Sequence, residues 1–291
     1  MKVGATTGRS RRTLGGFTLV EVLVVIGIVG LLSGILVAGV DKMRTSAKVA
    51  EATGGARALI QAYLLTPMDN RGYFLKGYGE PEGTLYPPGF SPISKTSEPA
   101  KRYPWRMASY LEDNFRTIYI GDSREYFEET VRHSSYAASL YPSFGVNSVF
   151  VGGHYDGRVY SPSYEPGSRS RDKTTYPRDF WVLRPADAVN PSNLIVFASS
   201  ISSPPSDFDR PVGFYRVNAP KSPASGDWGS YNSEIPAQMG YVSLEYGGEA
   251  VVAQLDGSVK LLAEEELRDM RRWSNQAAMY DDPDFSNWTR D

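Results

Sequence analysis

Residues 15–40, GGFTLVEVLVVIGIVGLLSGILVAGV, decide the architecture of this chain, and Glu21 is the only charged residue among them. From residue 22 to residue 40 there are 19 consecutive residues without a charge. At about 1.5 Å per residue, a helix of this length nearly spans the roughly 30 Å hydrocarbon core of a bilayer. A carboxylate at bilayer depth costs on the order of 3 kcal/mol, so Glu21 requires a partner.

The charges around this segment predict its orientation. Four basic residues and no acidic residue precede it, Lys2, Arg9, Arg11 and Arg12. This bias predicts a cytoplasmic N-terminus and a body on the other side of the membrane. The whole chain of 291 residues has a net charge of −2, so the remainder carries −6, which argues against a nucleic-acid surface. The absence of cysteine excludes disulfides, thiol catalysis and cysteine-ligated metals.

Three other kinds of targeting segment would explain the apolar run in part. A secretory signal should be followed by an A-x-A-like cleavage site, which the sequence lacks. The Ser-Arg-Arg sequence at 10–12 allows a twin-arginine export signal, and a plain membrane anchor requires no motif at all. The last two leave Glu21 unexplained. A cut between Gly16 and Phe17, in contrast, would create an α-amine one helical turn before Glu21, where it could meet the carboxylate of a neighbouring copy.

The segment GGFTLVE at 15–21 resembles the prepilin cleavage and methylation motif of type IV pilins and type II secretion pseudopilins. The resemblance implies peptidase cleavage at Gly15-Gly16-Phe17 and N-methylation of the new N-terminal residue, Phe17. It also implies that Glu21 guides assembly. The implied partners are a prepilin peptidase and methylase, other pilin or pseudopilin subunits, an inner-membrane assembly platform and the membrane itself.

Helical signals continue beyond the apolar run. Gly30 and Gly34 have the small-xxx-small spacing that allows helices to approach closely. A stripe of small residues follows and could face a sheet or a neighbouring stalk; it comprises Ala47, Ala50, Gly54 and Ala58. A helix over residues 17–64 would be about 72 Å long. Pro67 predicts that the helical run ends near residue 66, and Gly54-Gly55 predicts a weak point within it.

These features predict four parts of the chain. They are a basic leader at 1–16, a transmembrane and assembly helix at 17–40, a helical stalk at 41–66 and an extracytoplasmic globular head at 67–291. The expected fold class is α+β, with a pilin-like long N-terminal helix, transmembrane in its first half, packed on a C-terminal antiparallel sheet with insertions. Asp256-Gly257 predicts a tight hairpin turn.

Local patterns predict the other elements of the head. Glycine and proline at 73–104 indicate a loop. The predicted helices lie at 104–115, 124–140 and 264–276. The predicted strands lie at 147–151, 179–183, 193–199, 213–217, 241–246, 250–255 and 259–262.

Parts of the head resemble a second group, a large pilin-like family common in planctomycetes and verrucomicrobia. The resemblance rests on YPWR at 103–106, ASYLE at 108–112, PSN at 191–193 and the strand into Asp256-Gly257. That family ends in a His-x9-Asp-Gly signature, whereas Tyr246 occupies the histidine position here. We therefore interpret Asp256-Gly257 as a structural turn.

The sequence offers little catalytic chemistry. The two histidines are His133 and His154, and only His154, with Asp156, suggests a pair of metal ligands. The nucleophile-elbow, HExxH and phosphate-loop motifs are missing, so we predict no enzyme and no catalytic residue. The predicted cofactor is none, with calcium as a candidate because clustered carboxylates suit this ion; the alternative is a solvated acidic tail. The candidate ligands are Asp281, Asp282 and Asp284.

We predict a structural prepilin or pseudopilin subunit for a type II secretion pseudopilus or a type IV pilus-like filament. The lack of cysteine favours the pseudopilin over disulfide-bearing pilins. Nineteen tyrosines and five tryptophans leave one alternative open, since such residues either form a sticky face or fill a core. In that alternative, the protein is a membrane-anchored extracytoplasmic module that binds a glycan or a protein. The head would be periplasmic or displayed on a filament.

Overall fold

The computed structural model describes residues 18–87, 89–129, 134–153, 178–223 and 226–287. The chain divides into two compact units, Met1–Ser46 and Ala47–Asp291. The α-helices are α1 (Leu19–Asp69), α2 (Glu98–Lys101), α3 (Tyr103–Leu111), α4 (Asp122–Glu129), α5 (Ser135–Leu140), α6 (Glu264–Leu267) and α7 (Asn275–Tyr280). The strands are β1 (Phe144–Val146), β2 (Ile195–Ser199), β3 (Lys221–Ser222), β4 (Gly226–Asp227), β5 (Glu249–Gln254) and β6 (Val259–Ala263).

Helix α1 runs for 51 residues and is not interrupted at Gly54-Gly55, the weak point expected from the sequence. It also continues past the predicted end, with Pro67 inside its last turn. A proline cannot donate to the carbonyl four residues before it, which here belongs to Tyr63. The hydroxyl of Thr66 donates to this carbonyl instead, at 2.8 Å. The threonine thus replaces the hydrogen bond that Pro67 removes, and the helix ends only at Asp69.

The head is α+β, as predicted. Strands β1, β2, β5 and β6 form an antiparallel sheet in the order β1-β2-β5-β6, with a bulge between Ile195 and Phe197. Gly257, at φ 88°, closes the β5–β6 hairpin, and the Asp256 carboxylate accepts the N–H and the hydroxyl of Ser258. The predicted Asp-Gly turn is therefore confirmed. Strands β3 and β4 form a separate two-stranded sheet.

The four-stranded sheet lies between two apolar clusters. On β5, Val251 and Ala253 join the cluster that contains the α1 side chains, while Ala250 and Val252 join the other. This alternation is the two-residue period of a strand with both faces buried. The buried side chains that α1 contributes are Ala52, Ala56, Leu59, Ile60, Ala62 and Tyr63. The C-terminal segment covers the opposite face with Leu267, Met270, Trp273 and Ala277.

Much of the aromatic content fills this core. Trp105 stacks on Phe115 with 5.0 Å between ring centroids, and Tyr119 stacks on Phe127 at 4.3 Å. The buried hydroxyl of Tyr119 donates to the carbonyl of Ala138 at 2.7 Å. These residues explain part of the aromatic excess without a binding face.

Four predicted strands did not form. The segments 147–151, 179–183, 213–217 and 241–246 contribute only isolated bridges, such as Val151 with Val182 and Ser200 with Val242. Positive φ angles at Gly152 and Tyr241, +69° and +65°, interrupt the extended conformation. These runs are apolar because they are buried, and burial alone does not distinguish a strand from an irregular segment.

Three predicted helices are shorter or divided. The segment 104–115 gives α3 and a 3-10 helix (Glu112–Ile118), separated where Glu112 has φ 46°. The segment 124–140 contains α4 and α5, and residues 130–133 lie outside the described part. Over 264–276 the chain forms α6, a 3-10 helix (Met270–Arg272) and the start of α7. Asp269 and Ser274 cap the last two by accepting backbone N–H groups, so each begins a new helix.

The small-residue stripe of α1 does not face the sheet. Ala47, Ala50 and Gly54 are exposed and Ala58 is half-buried, whereas the buried face lies at Ala52 and Ala56. Gly55 belongs to the buried face, because a Cβ on this residue would lie 2.4 Å from the carbonyl oxygen of Thr117. The two adjacent glycines therefore have different roles, one at an open surface and one at a close contact.

This difference gives a matched test of how α1 packs. We expect Gly55→Ala to lower the free energy of unfolding by about 1–3 kcal/mol, since the new methyl group overlaps the Thr117 carbonyl. Gly54→Ala should raise it by about 0.5–1 kcal/mol, because no atom lies within 4 Å and alanine favours helix. Urea unfolding of the full chain in detergent, followed by tryptophan fluorescence, measures both. Equal effects of the two substitutions would contradict the packing described.

Candidate functional site

The start of α1 is a reciprocal capping box. The backbone N–H and the hydroxyl of Thr18 both donate to Oε2 of Glu21, each at 2.8 Å. The N–H of Glu21 donates back to Oγ1 of Thr18 at 3.2 Å. This is the S/T-x-x-E arrangement, in which two side chains satisfy backbone donors that the first helical turn leaves open. The carboxylate also lies where the helix dipole favours a negative charge.

Sequence reasoning identified Glu21 but missed the role of Thr18. The signal was present, because threonine three residues before glutamate at the start of an apolar run is the capping-box pattern. The structure brings the two side chains together on one helical turn. Within the described part of the chain, Oε1 of Glu21 accepts no hydrogen bond and no cation pairs with the carboxylate. One oxygen is thus open to a further donor.

The surface that follows Glu21 is apolar on every side of the helix. Every large aliphatic side chain from residue 19 to residue 32 is at least 50% exposed, and Leu19 reaches 80%. A helix that is apolar all round is stable only when lipid or protein covers it. Among the described residues, no helix combines the length and the mean hydropathy required of a bilayer span.

The two glycines predicted for helix packing lie on this surface. A Cβ placed on Gly30 or on Gly34 would have no atom within 4 Å. Both positions are therefore open to a neighbouring element. The other motif residues, Gly15, Gly16 and Phe17, lie outside the described residues, as do the histidines and Asp156.

The three C-terminal carboxylates are largely engaged with cations or backbone. Asp281 pairs with Arg271 at 2.7 Å, and Asp284 lies 3.4 Å from Nζ of Lys221. Oδ1 of Asp282 accepts the N–H of Asp284 at 2.9 Å. In the described part of the chain, no three histidine, aspartate or glutamate side chains form a group that could hold a metal ion. Calcium binding by these residues stays a sequence-based prediction.

An ionic cluster joins α1 to α4 and was not foreseen from the sequence. Glu51 on α1 pairs with Arg124 on α4. Arg210 pairs with Asp122 at 2.7 Å and with Glu125, and this pairing holds the pKa of the Glu125 carboxyl below its usual range. The partners are separated by more than 70 residues, so no local pattern could have matched them. Each side chain is more than one third exposed, and such pairs contribute little to stability.

The capping box makes a direct prediction. Replacing Thr18 with valine removes the side-chain cap at nearly constant size, and loss of such a cap costs about 1 kcal/mol. This corresponds to roughly fivefold faster hydrogen exchange at the N–H of Glu21, measured by NMR on the full chain in detergent. Thr18→Ser, which keeps the hydroxyl, should leave the exchange rate nearly unchanged. Equal rates in the valine and serine variants would show that the cap does not hold the first turn.

Comparison with known proteins identifies this region. Residues 11–37 match the family model described as the prokaryotic N-terminal methylation motif. No curated protein and no solved structure shows significant similarity to the chain. The match covers the capping box and the exposed apolar helix but not the head. This match, together with an α+β head that follows a long N-terminal helix, supports a type IV pilin-like or pseudopilin-like protein.

Proposed function

We propose that this protein is a structural subunit that a prepilin peptidase processes and that then assembles into a type II secretion pseudopilus or a type IV pilus-like filament. The observation that carries the proposal is the methylation motif at the start of a helix whose apolar side chains are exposed on all sides. The motif supports a structural subunit rather than an enzyme.

The exposed apolar surface supports the proposal through its energetics. Burying one Val, Leu or Ile side chain contributes about 1.5–3 kcal/mol. Eleven such side chains between residues 19 and 32 are half or more exposed, so covering them is strongly favourable. Before assembly the cover would be the inner membrane, and afterwards the helices of neighbouring subunits. The open positions at Gly30 and Gly34 would let those helices approach closely.

Glu21 would change partners between these two states. In the single chain, two donors of Thr18 satisfy one carboxylate oxygen. Cleavage after Gly16 would place the methylated α-amine of Phe17 at the N-terminus of each subunit. A neighbouring subunit could then direct this amine at the free oxygen of Glu21. An ion pair compensates both charges in an apolar surrounding, which a capping box alone cannot do.

The remaining parts of the proposal concern location and partners. We place the precursor in the inner membrane as a single-pass protein, with its basic leader in the cytoplasm and its head in the periplasm or on a filament. The partners would be the peptidase and methylase, an assembly platform and other pilin or pseudopilin subunits. The match at residues 11–37 supports processing and membrane attachment of the N-terminus.

Processing and assembly can be tested together. Intact-mass measurement and N-terminal sequencing of the protein from its native membrane should show loss of residues 1–16 and one methyl group on Phe17. Glu21→Ala should be processed normally but excluded from filaments, because the carboxylate that receives the amine is gone. The matched control is Glu128→Ala, which removes an exposed carboxylate of α4 and should assemble normally.

Two results would contradict the proposal. An uncut N-terminus at Met1 would mean that the motif is not used as a processing site. Normal filament incorporation of Glu21→Ala would mean that the carboxylate does not guide assembly. A processed or unprocessed chain that stays monomeric in the membrane would instead favour an anchored module whose head binds a glycan or a protein.

A further inference from the structure

Residues 203–211 form a strap that leaves the core after β2 and returns to it without forming a helix or a strand. Most of its residues are exposed, and Pro205 is buried. Each proline fixes one backbone angle, so a segment with several prolines has few conformations. The prolines are Pro204, Pro205 and Pro211. This composition favours movement of the strap as a unit.

The two ends of the strap are fixed to the core. The N–H of Ser202 donates to the carbonyl of Val212 at 2.6 Å, and its hydroxyl donates to the carbonyl of Gly213 at 3.2 Å. The N–H of Gly213 donates to the hydroxyl of Ser123 at 2.7 Å. A Cβ on Gly213 would lie 1.9 Å from the carbonyl oxygen of Pro142, so the backbone is tightly packed here. Movement of the strap is therefore confined to the residues between Ser202 and Val212.

Charged groups hold the middle of the strap on α4. Arg210 pairs with Asp122 at 2.7 Å and with Glu125. Oδ1 of Asp207 accepts the hydroxyl of Tyr126 at 2.9 Å. Each of these polar contacts between the strap and α4 has a charged group on at least one side. The strap is therefore attached to α4 largely by electrostatic interactions.

The apolar part of this contact is small. Phe208 is half-buried, and its ring lies 5.1 Å from the ring of Tyr126 between centroids. The guanidinium carbon of Arg210 lies 4.8 Å from the ring centre of Phe208. The Phe208 ring thus lies between the cation and Tyr126, and its position is linked to that of Arg210.

The ionic contacts are accessible to water and salt. The side chains of Arg210, Asp122 and Glu125 are 39%, 45% and 43% exposed. Ion pairs at such positions are weak, and salt screens them. A segment held by exposed contacts opens at a lower free energy than the whole domain unfolds. The attachment of the strap is therefore weaker than the packing of the core beneath it.

Tyr126 is the residue that the strap covers. Its side chain is buried, but it has a second contact that does not involve the strap. Its ring packs edge-on against Tyr141, with 5.6 Å between centroids. This contact can keep Tyr126 in place when the strap moves, so opening does not require the core to unfold.

We propose that the strap is a charge-held cover over Tyr126, which opens as a unit while its two ends and the core stay in place. In the closed form Arg210 joins the strap to Asp122 and Glu125. In the open form these three groups are hydrated, and the ring of Tyr126 is exposed. Salt, or another cation that competes with Arg210, shifts the equilibrium towards the open form. This device does not depend on the proposed assembly function.

A salt titration of the full chain in detergent, followed by NMR, tests the proposal. The ring resonance of Tyr126 reports the closed strap because Phe208 lies against it, and the amide resonance of Ser202 reports the fixed end. From about 10 mM to about 1 M KCl the screening length falls from about 30 Å to about 3 Å. The Tyr126 resonance should move over this range, whereas that of Ser202 should not.

Two variants separate charge from packing. Arg210→Gln removes both ion pairs at similar length, and its Tyr126 resonance should have the high-salt position already at low salt. Arg57→Gln, at an exposed position of α1, is the control and should behave as the wild type.

Two results would contradict the proposal. A Tyr126 resonance that neither KCl nor Arg210→Gln moves would show that packing, not charge, holds the strap. A shift of Ser202 together with Tyr126 would show that the strap does not open separately from the core. The titration of the wild-type protein gives both answers for salt even if a variant does not fold.

Discussion

The packing of α1 against the four-stranded sheet is the contact on which the rest of the head depends. Tyr63 is at its centre, with its ring stacked on Phe74 at 5.2 Å and edge-on to Phe197 at 5.4 Å. Its hydroxyl binds the carbonyl of Leu75. One side chain thus joins the helix, the loop that follows it and β2. A side chain at Gly55 would displace the helix from the 3-10 helix Glu112–Ile118, because its Cβ would lie 2.4 Å from the carbonyl oxygen of Thr117.

The same helix has two kinds of surface along its length. Between residues 19 and 32 it is apolar on all sides, and between residues 52 and 63 only one face is buried. The first pattern is stable in lipid or among other helices, and the second is that of a helix at the edge of a core. The helix shows no break at Gly54-Gly55. It continues past residue 66 because Thr66 supplies the hydrogen bond that Pro67 removes.

The sequence alone predicted the features that depend on local chemistry. The β5–β6 hairpin could be predicted because Asp256-Gly257 favours a tight turn, and Glu21 because a charge interrupts an apolar run. The division of the predicted helix at 264–276 could not be predicted, since the apolar spacing continues through the N-caps Asp269 and Ser274. The isolated β-bridges that occur in place of four predicted strands join residues that are far apart in the chain, such as Val151 and Val182. Nor could the sequence reveal that Nε and Nη2 of Arg106 are buried without a hydrogen-bond partner in the described chain, because no local pattern predicts burial.

Glu21 and Arg106 are both charges for which the described chain provides no opposite charge, but their environments differ. Glu21 is exposed and capped by Thr18, so its lack of a cation has little cost until an apolar medium surrounds the helix. Arg106 is already buried, and its unpaired donors reduce stability in the folded head itself. The partner of Glu21 can therefore arrive late, with a neighbouring subunit. The unpaired donors of Arg106 are instead a cost that the packing of the head itself has to offset.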